Sequence, residues 1–523
     1  MDDYTDDERV ILLLDLDCFY AQCECVRLGL DAATTPLCLM QWNSALAVSY
    51  PARRMGIKRG DGWHDIQVKS NGACHMVHTP IFSATSANDS NPDEDSATSS
   101  YESIFQMTTN QQAAARKRDI GYRRHSSEGK ASIERYRIAS TRIFQTVLEM
   151  LPASVVLERA SIDEFFVDVT QADELDESEA TTKVVGDVNE PTPSLLRGCA
   201  WAHKIRQHVF DTLGFTLSAG ISVNKTLAKL SAGYGKPNGQ AVTYPAGISF
   251  LLNDTPIRKC RNLGGKLGAK VQALLPEGAP TTVGAVAKYL SVSQLRQALN
   301  DDGVAQWVWN LARWGMEYEA VAAKHESGAS KSITAFKSLP YVSAGHSLDS
   351  VQDWIRLLVE EVVGRVERDA DKNSRYPRHC SVHYAPGGGK GLQNKSVRIA
   401  FPVERLTTEE KVEELCRQAP KSILNKEGEE YRVRRIGICA IDFTEKNGKN
   451  GIDTYFGRSS GENRSAPKLP RARESPQQPR ATDPDLELAR KLQAEYDREN
   501  RLLGGSRPTK KAKRGIDSFF KKA

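Results

Sequence analysis

The chain has 523 residues, 26% charged and 40% apolar, the balance of a soluble globular protein of several domains. No apolar run reaches the roughly 18 residues that span a bilayer, and the acidic opening MDDYTDDERV reads as neither a secretory nor a mitochondrial leader. The net charge of +5 is uneven: residues 457–523 carry 17 Lys and Arg against 9 Asp and Glu, leaving 54 against 57 in the remainder. A near-neutral body with a basic tail suits nucleic acid or nuclear import, or a tail that is merely solvated. The ten cysteines are scattered with no C-x-x-C, so packed, reduced thiols of an intracellular protein are expected.

Val10–Tyr20, VILLLDLDCFY, predicts a buried strand with acids at its end. A turn-rich, helix-poor stretch follows to about residue 80, and residues 81–119 hold a polar, low-complexity insertion. SIERYRIASTRIFQTVLEMLP predicts a helix with Ser132 as N-cap. ASIDEFFVDVT is a strand, 171–194 a second polar insertion, and Leu195–Leu213 a helix. Residues 215–244 then read strand, helix, glycine turn, strand, and 246–325 are helical around the glycine-rich turn NLGGKLG. Residues 331–456 alternate strands and helices, and a Pro/Arg/Ser-rich tail occupies 457–523.

Strand alternation puts Asp15 and Asp17 on one face of the first strand, with Leu16 on the other, and sets Asp163 and Glu164 on opposite faces of the second. Paired strand-borne carboxylates raise each other's pKa and cost several kcal/mol. No Lys or Arg lies within either apolar run, so a hard divalent cation, Mg²⁺ or Mn²⁺, is the expected partner. The competing reading is a set of strand-end acids facing water. AVSYPARRMGIKRG adds Tyr50, Arg53 and Arg59, and SAGYGKPNG adds Lys236 on a glycine turn. Guanidinium forks, an ammonium and open backbone suit a triphosphate, although each alone is also an ordinary surface feature. NLGGKLG resembles a helix-hairpin-helix, in which Gly264, Gly265 and Gly268 let backbone N–H groups reach a DNA phosphate; an ordinary interhelical turn is the alternative.

In this order DLDCFYAQCE, QWNSALAVSYPARRMGIKRG, YRIAS, ERASIDEFFVD, SAGISVNKTLAKLSAGYGKPNGQ and PIRKCRNLGGKLG resemble the Y-family translesion DNA polymerases over roughly residues 8–456. The resemblance implies an α+β right-hand architecture with a disordered C-terminal tail. A ferredoxin-like palm would take 1–18 and 120–245, small fingers 19–80, a helical thumb 246–325 and an α/β little finger 331–456. It implies Asp15, Asp163, Glu164 and the backbone carbonyl of Leu16 as ligands of two Mg²⁺ ions, with Mn²⁺ the other candidate, and no metal role for Asp17. Tyr50, Arg53 and Lys236 would hold the dNTP triphosphate. Phe19 and Tyr20 would pack on its sugar, Tyr20 as the steric gate against a ribose 2′-OH, unless both are plain core aromatics. Gln41, Leu46 and Arg59 would line the templating pocket, with Gly60 keeping its roof low enough to admit two linked template bases.

The implied reaction is in-line attack of a primer 3′-OH on the α-phosphate, on primer–template DNA, by a nuclear monomer. Two other classes compete. A nucleotidyl cyclase shares the palm and metals, and a non-enzymatic scaffold would keep only the tail contacts. In that tail, TDPDLELARKLQAEYDRE predicts a helix over 483–499. It resembles an inverted ubiquitin-interacting motif with Leu488, Ala489 and Leu492 as contacts. KRGIDSFFKKA (513–520 and beyond) resembles a motif for the replicative sliding clamp, with Ile516, Phe519 and Phe520 as plug and Lys513 where glutamine is usual.

Overall fold

The structure is a computed structural model, which describes residues 9–82, 105, 107–126, 128–175, 181–186, 190–322, 330–340, 342–387 and 394–445. The chain divides into two compact units. The first takes residues up to 81, 88–125 and 131–328; the second takes 82–87, 126–130 and 329 onward. Among the described residues no helix is long and apolar enough to cross a membrane.

At the centre of the first unit lies β1 (Ile11–Leu16), almost wholly buried. It pairs antiparallel with β8 (Glu164–Asp168) on one side and β10 (Leu217–Ser222) on the other. The six-stranded sheet runs β7 (Val156–Arg159), β8, β1, β10, β11 (Gln240–Val242), β9 (Lys183–Val184). Both faces are covered, which is why the β1 run is nearly continuous in apolar residues. Ile11, Leu13 and Asp15 alternate to one face, where Ala228 and Ala232 of α7 (Lys225–Gly235) pack with Ile11, Leu13 and Phe166. On the other face Gly198 of α6 (Pro193–Leu213) lies against Leu12 and Ile221, with α5 (Glu134–Met150) alongside α6.

Gly220 sets how closely α7 approaches. A Cβ there would stand 2.0 Å from the Ala228 carbonyl oxygen and 2.3 Å from the Ala232 nitrogen. Because both are backbone, the helix rather than a side chain would have to move. Gly220→Ala is expected to destabilise the chain by about 3 kcal/mol, read as a lower denaturant midpoint.

Between β1 and the rest of that sheet the chain is richer in structure than its sequence predicts. After a left-handed turn at Cys18 come α1 (Phe19–Leu28) and a sheet of order β3-β2-β4, formed by β2 (Leu37–Gln41), β3 (Ser44–Val48) and β4 (His75–His78). α2 (Tyr50–Arg54) and α3 (Trp63–Ser70) complete this part, over a core that includes Cys38, Met40, Ile57, Trp63 and Ile66. The expectation of a helix-poor stretch to residue 80 is therefore corrected. These strands are at most five residues long and β2 is wholly apolar but for its last residue, so they carry no period-2 signal.

Part of the first polar insertion is also structured. β5 (Ile81–Phe82) and β6 (Lys130–Ala131) flank α4 (Thr109–Asp119), which starts in a Thr108–Gln111 capping box. α4 docks on α1 through buried Ala115, an Arg116 hydrogen bond to the Leu28 carbonyl, and the Arg27–Asp119 ion pair at 2.7 Å. The second insertion supplies β9 and the first two residues of α6. In α5 the N-cap is Ile133, one residue beyond the predicted Ser132, whose hydroxyl nonetheless accepts from the Glu134 N–H at 3.2 Å.

The helical region is α8 (Ile248–Asp254), α9 (Lys266–Ala273), α10 (Val283–Tyr289), α11 (Val292–Leu299) and α12 (Asp302–Trp314), closed around Leu251, Leu263, Val271, Val286, Leu295 and Val308.

The second unit carries the strands and helices expected between 331 and 456. β12 (Ile333–Ser338), β16 (Arg432–Glu445), β14 (Arg375–Pro386) and β15 (Lys395–Ala400) lie in that order, and β13 (His346–Ser347) pairs with β16. α13 (Gln352–Asn373) and α14 (Thr408–Glu427) bury Ile355, Val362, Leu415 and Ile423 with Val382, Ile436 and Ile438 of the sheet.

Candidate active site

The β1–β8 register places Asp15 directly opposite Glu164. The Leu16 N–H donates to the Asp163 carbonyl at 2.9 Å, so the two strand ends are held together where the acids stand. Asp163 is not in the strand but in the bend before it, and its carboxylate accepts from Ser161 Oγ at 2.6 Å. The structure thus brings Asp15, Asp163, Glu164 and Leu16 to one place. Burial, opposed by Lys236 and reinforced by Glu164, pushes the Asp15 carboxyl up to about 7. Burial also pushes Asp163 up against its hydrogen bond from Ser161.

α7 and the turn after it supply the cations that neither strand contains. Lys236 Nζ lies 2.5 Å from Asp15, and Lys229 Nζ lies 2.8 Å from Glu164. The expectation of carboxylates with no protein cation is therefore corrected, and Lys229 is a residue that sequence reasoning missed. With their oxygens turned to these ammoniums and to Ser161, no three acids stand as a ready-made metal cage among the described residues. The donors nevertheless fit a divalent cation: they are all hard oxygens, and burial holds two of the three carboxylates above their ordinary pKa, a cost that a cation bound among them would offset.

Asp17 does not share the Asp15 face as alternation predicts, because β1 ends at Leu16 and the chain turns. Fully buried, Asp17 accepts from Ser218 Oγ at 2.7 Å and from the Asn238 N–H at 2.8 Å. Arg206 grips the same loop through the Asn238 carbonyl at 2.7 Å. Together they fix the turn that carries Lys236.

Tyr50 opens α2, capped by Ser49, and the Arg53 guanidinium lies 4.6 Å above its ring. Burial first of all pushes the Tyr50 phenol up to about 12. Burial likewise pushes the Cys18 thiol, at the turn between β1 and α1, up to about 11. Tyr50 and Arg53 thus pack on each other, while Lys236 stands on Asp15.

Phe19 is buried against Phe215 at 6.4 Å, and Tyr20 lies 4.7 Å from the Tyr136 ring. Tyr136 is fully buried and donates to Glu24 at 2.8 Å. Glu24 is held in turn by Arg27 at 2.7 Å and Arg135 at 3.0 Å. Burial alone would raise the Glu24 carboxyl, but the two guanidiniums overcome it and leave it below its ordinary value.

Leu46 is buried, Gln41 half-buried, and Arg59 and Gly60 exposed. Gly60 has φ +92°, a backbone that L side chains resist, so glycine is favoured there by conformation; an added Cβ would meet nothing within 4 Å. At the hairpin, Gly264 and Gly265 are exposed ahead of α9. Gly268 is buried, and its Cβ would stand 1.7 Å from the Leu263 carbonyl oxygen, so it serves close packing. Leu488, Ala489, Leu492, Lys513, Ile516, Phe519 and Phe520 lie outside the described residues.

Three sequence profiles match the chain. The impB/mucB/samB family profile covers residues 14–233, and the profile of its C-terminal domain covers 330–453. Between them, a profile described as the helix-hairpin-helix motif of DNA polymerase eta and Rev1 covers 255–316. A protein of Arabidopsis thaliana named DNA polymerase eta is 28% identical over 508 residues, which cover 86% of this chain and 66% of that protein. A protein of the same name from Drosophila melanogaster is 26% identical, over 87% of this chain and 52% of its own length. The N-acetyltransferase eso1 of Schizosaccharomyces pombe is 24% identical, over 68% of this chain and 40% of that protein. The chain thus spans about half to two thirds of these first two relatives.

Proposed function

The chain belongs to the impB/mucB/samB family, the Y-family DNA polymerases, in its eta-like branch, and on that premise we propose that it is a template-directed DNA polymerase. It adds dNTPs to a primer 3′-OH opposite damaged template bases such as UV-induced pyrimidine dimers. One observation carries this reading: Asp15, Asp163 and Glu164 converge at the bonded ends of β1 and β8, with Lys236 on Asp15. In this reading residues 1–18 and 120–245 are the palm, 19–80 the fingers, 246–325 the thumb and 331–456 the little finger.

The three carboxylates and the Leu16 carbonyl would hold two divalent ions, Mg²⁺ or Mn²⁺. Bound there, the ions lower the pKa of the primer hydroxyl and neutralise the charge on the leaving pyrophosphate. The chain's own groups do the rest. Lys236 transfers its ammonium from Asp15 to the triphosphate, which Tyr50 and Arg53 also grip. Lys229 keeps the Glu164 carboxylate in place. Tyr20, backed by Tyr136, excludes a 2′-OH. Gln41, Leu46, Arg59 and Gly60 border the template base, and the N–H groups at Gly264 and Gly265 take a DNA phosphate. The protein works in the nucleus as a monomer. Its tail meets the sliding clamp through Ile516, Phe519 and Phe520, and ubiquitin through Leu488, Ala489 and Leu492.

Primer extension by the full chain on a template carrying a thymine dimer tests the reading. Incorporation opposite the dimer supports it. Template-independent cyclisation of the triphosphate, or no turnover at all, overturns it.

A further inference from the structure

A second ionic cluster lies on the same face of the six-stranded sheet as the carboxylates. Lys225 opens α7 and is fully buried. Its ammonium donates to Glu158 Oε2 at 2.6 Å and to Glu319 Oε1 at 3.0 Å. Glu319 receives both Nη atoms of Arg261, at 2.6 and 2.8 Å. Glu158 sits on β7 opposite Phe166, the residue two beyond Glu164 on β8. The Lys225 ammonium and the Arg261 guanidinium both lie over the Phe166 ring, at 5.4 and 5.8 Å.

The segment that follows α12 forms a strap across this cluster. The Gly315 carbonyl accepts from Asn224 Nδ2 at 2.8 Å, and the Glu317 carboxylate accepts from the Thr226 N–H at 3.1 Å. Val321 enters the apolar group of Ile11, Leu13 and Phe166, and the Ala322 N–H donates to Glu158 at 2.8 Å. Arg261 is separated only by Asn262 and Leu263 from the exposed hairpin glycines 264 and 265.

A bidentate guanidinium–carboxylate pair fixes direction as well as distance. Through Glu319, Lys225 and Glu158 this pair links the base of the hairpin to β7, whose neighbour β8 begins at Glu164. We propose that Glu319, gripping Arg261, is a positioning residue for the polymerase reaction. It holds the hairpin that takes the DNA phosphate at a set place relative to Glu164, so that the primer end arrives in register with the carboxylates. This rests on the polymerase reading above. Arg261 first of all holds the Glu319 carboxyl down at about 2, so the pair stays ionised through the range in which polymerases are assayed.

The test uses the full chain on an undamaged primer–template, with Glu319→Ala, Arg261→Ala, the double variant and Arg261→Lys. A misplacement of order 1 Å at the primer end predicts a fall in kcat at saturating DNA of about ten- to hundredfold, with KM for the dNTP unchanged. The double variant should be no worse than either single one, and Arg261→Lys should recover part of the loss. An unchanged kcat, additive losses, or a defect confined to KM for the dNTP overturns the proposal. Should Glu319→Ala melt early because Lys225 loses a partner, Arg261→Ala, which leaves Lys225 both its carboxylates, decides alone. A wild-type chain that extends no primer overturns this proposal together with the reading beneath it; a wild type that extends normally confines any failure to the strap.

Discussion

Replacing Asp163 and Glu164 together by alanine is expected to lower nucleotide insertion by about a thousandfold or more, which is about 4 kcal/mol of transition-state stabilisation. Binding of primer–template should stay within a few-fold, because the hairpin glycines lie on a different part of the chain. The physical reason for so large a loss is that one carboxylate remains of three. Asp15 would then be left with Lys236, an ion pair already satisfied at 2.5 Å, and with little field to gather a divalent ion. Stability should move the other way or not at all. Burial pushes Asp163 and Asp15 above their ordinary carboxylate values, and Asp163 and Glu164 are among the causes that raise Asp15, so removing both relieves a cost carried by the free protein. Single-nucleotide insertion, DNA affinity and a melting curve on the same preparation check the three parts. Insertion equal to wild type would remove these residues from the site. A large drop in melting temperature would mean that their role is in holding β1 to β8, not in chemistry.

The sequence was most informative where a strand is buried on both faces. β1 and β8 are legible because VILLLDL and FFV are short apolar runs of strand length, and the acids at their ends stand out against them. What alternation could not reveal is where β1 stops. Asp17 lies one residue beyond it and turns inward to Ser218 and Asn238, so the predicted shared face with Asp15 fails. The cations on the acids were hidden for a different reason. Lys229 and Lys236 lie on a helix and the turn after it, more than 60 residues beyond Glu164, and reach Glu164 and Asp15 because Gly220 lets α7 settle on β10. No local pattern carries that approach. The α4 helix was masked by its polar neighbours, although the Thr108–Gln111 capping box was readable. Its docking on α1 depends on Ala115 and Arg116, which look like any exposed helix until Leu28 is seen beneath them.

Tyr20→Ala is expected to lower discrimination against ribonucleotides by about a hundredfold, with insertion of dNTPs changed by no more than several-fold. The ring of Tyr20 cannot retreat, because Tyr136 stands 4.7 Å behind it. Tyr136 cannot retreat either: it is fully buried, and its hydroxyl is fixed on Glu24, which Arg27 and Arg135 hold. A gate works only if yielding costs more than the clash it imposes, and this backing supplies that cost. Alanine removes the ring while leaving the backing intact, so the 2′-OH gains space and the deoxyribose loses only a packing contact. Tyr136→Phe separates the two roles. It keeps the ring behind Tyr20 but leaves the Glu24 carboxylate one donor short in a buried setting, a loss of about 2 kcal/mol in stability with sugar discrimination nearly intact. Insertion of matched rNTP and dNTP opposite one template base, as a ratio of kcat/KM, reads the first effect, and a denaturant titration reads the second. If Tyr20→Ala keeps the wild-type ratio while Tyr136→Phe loses it, the gate is not Tyr20, and the Glu24–Tyr136 pair shapes the sugar pocket by another route.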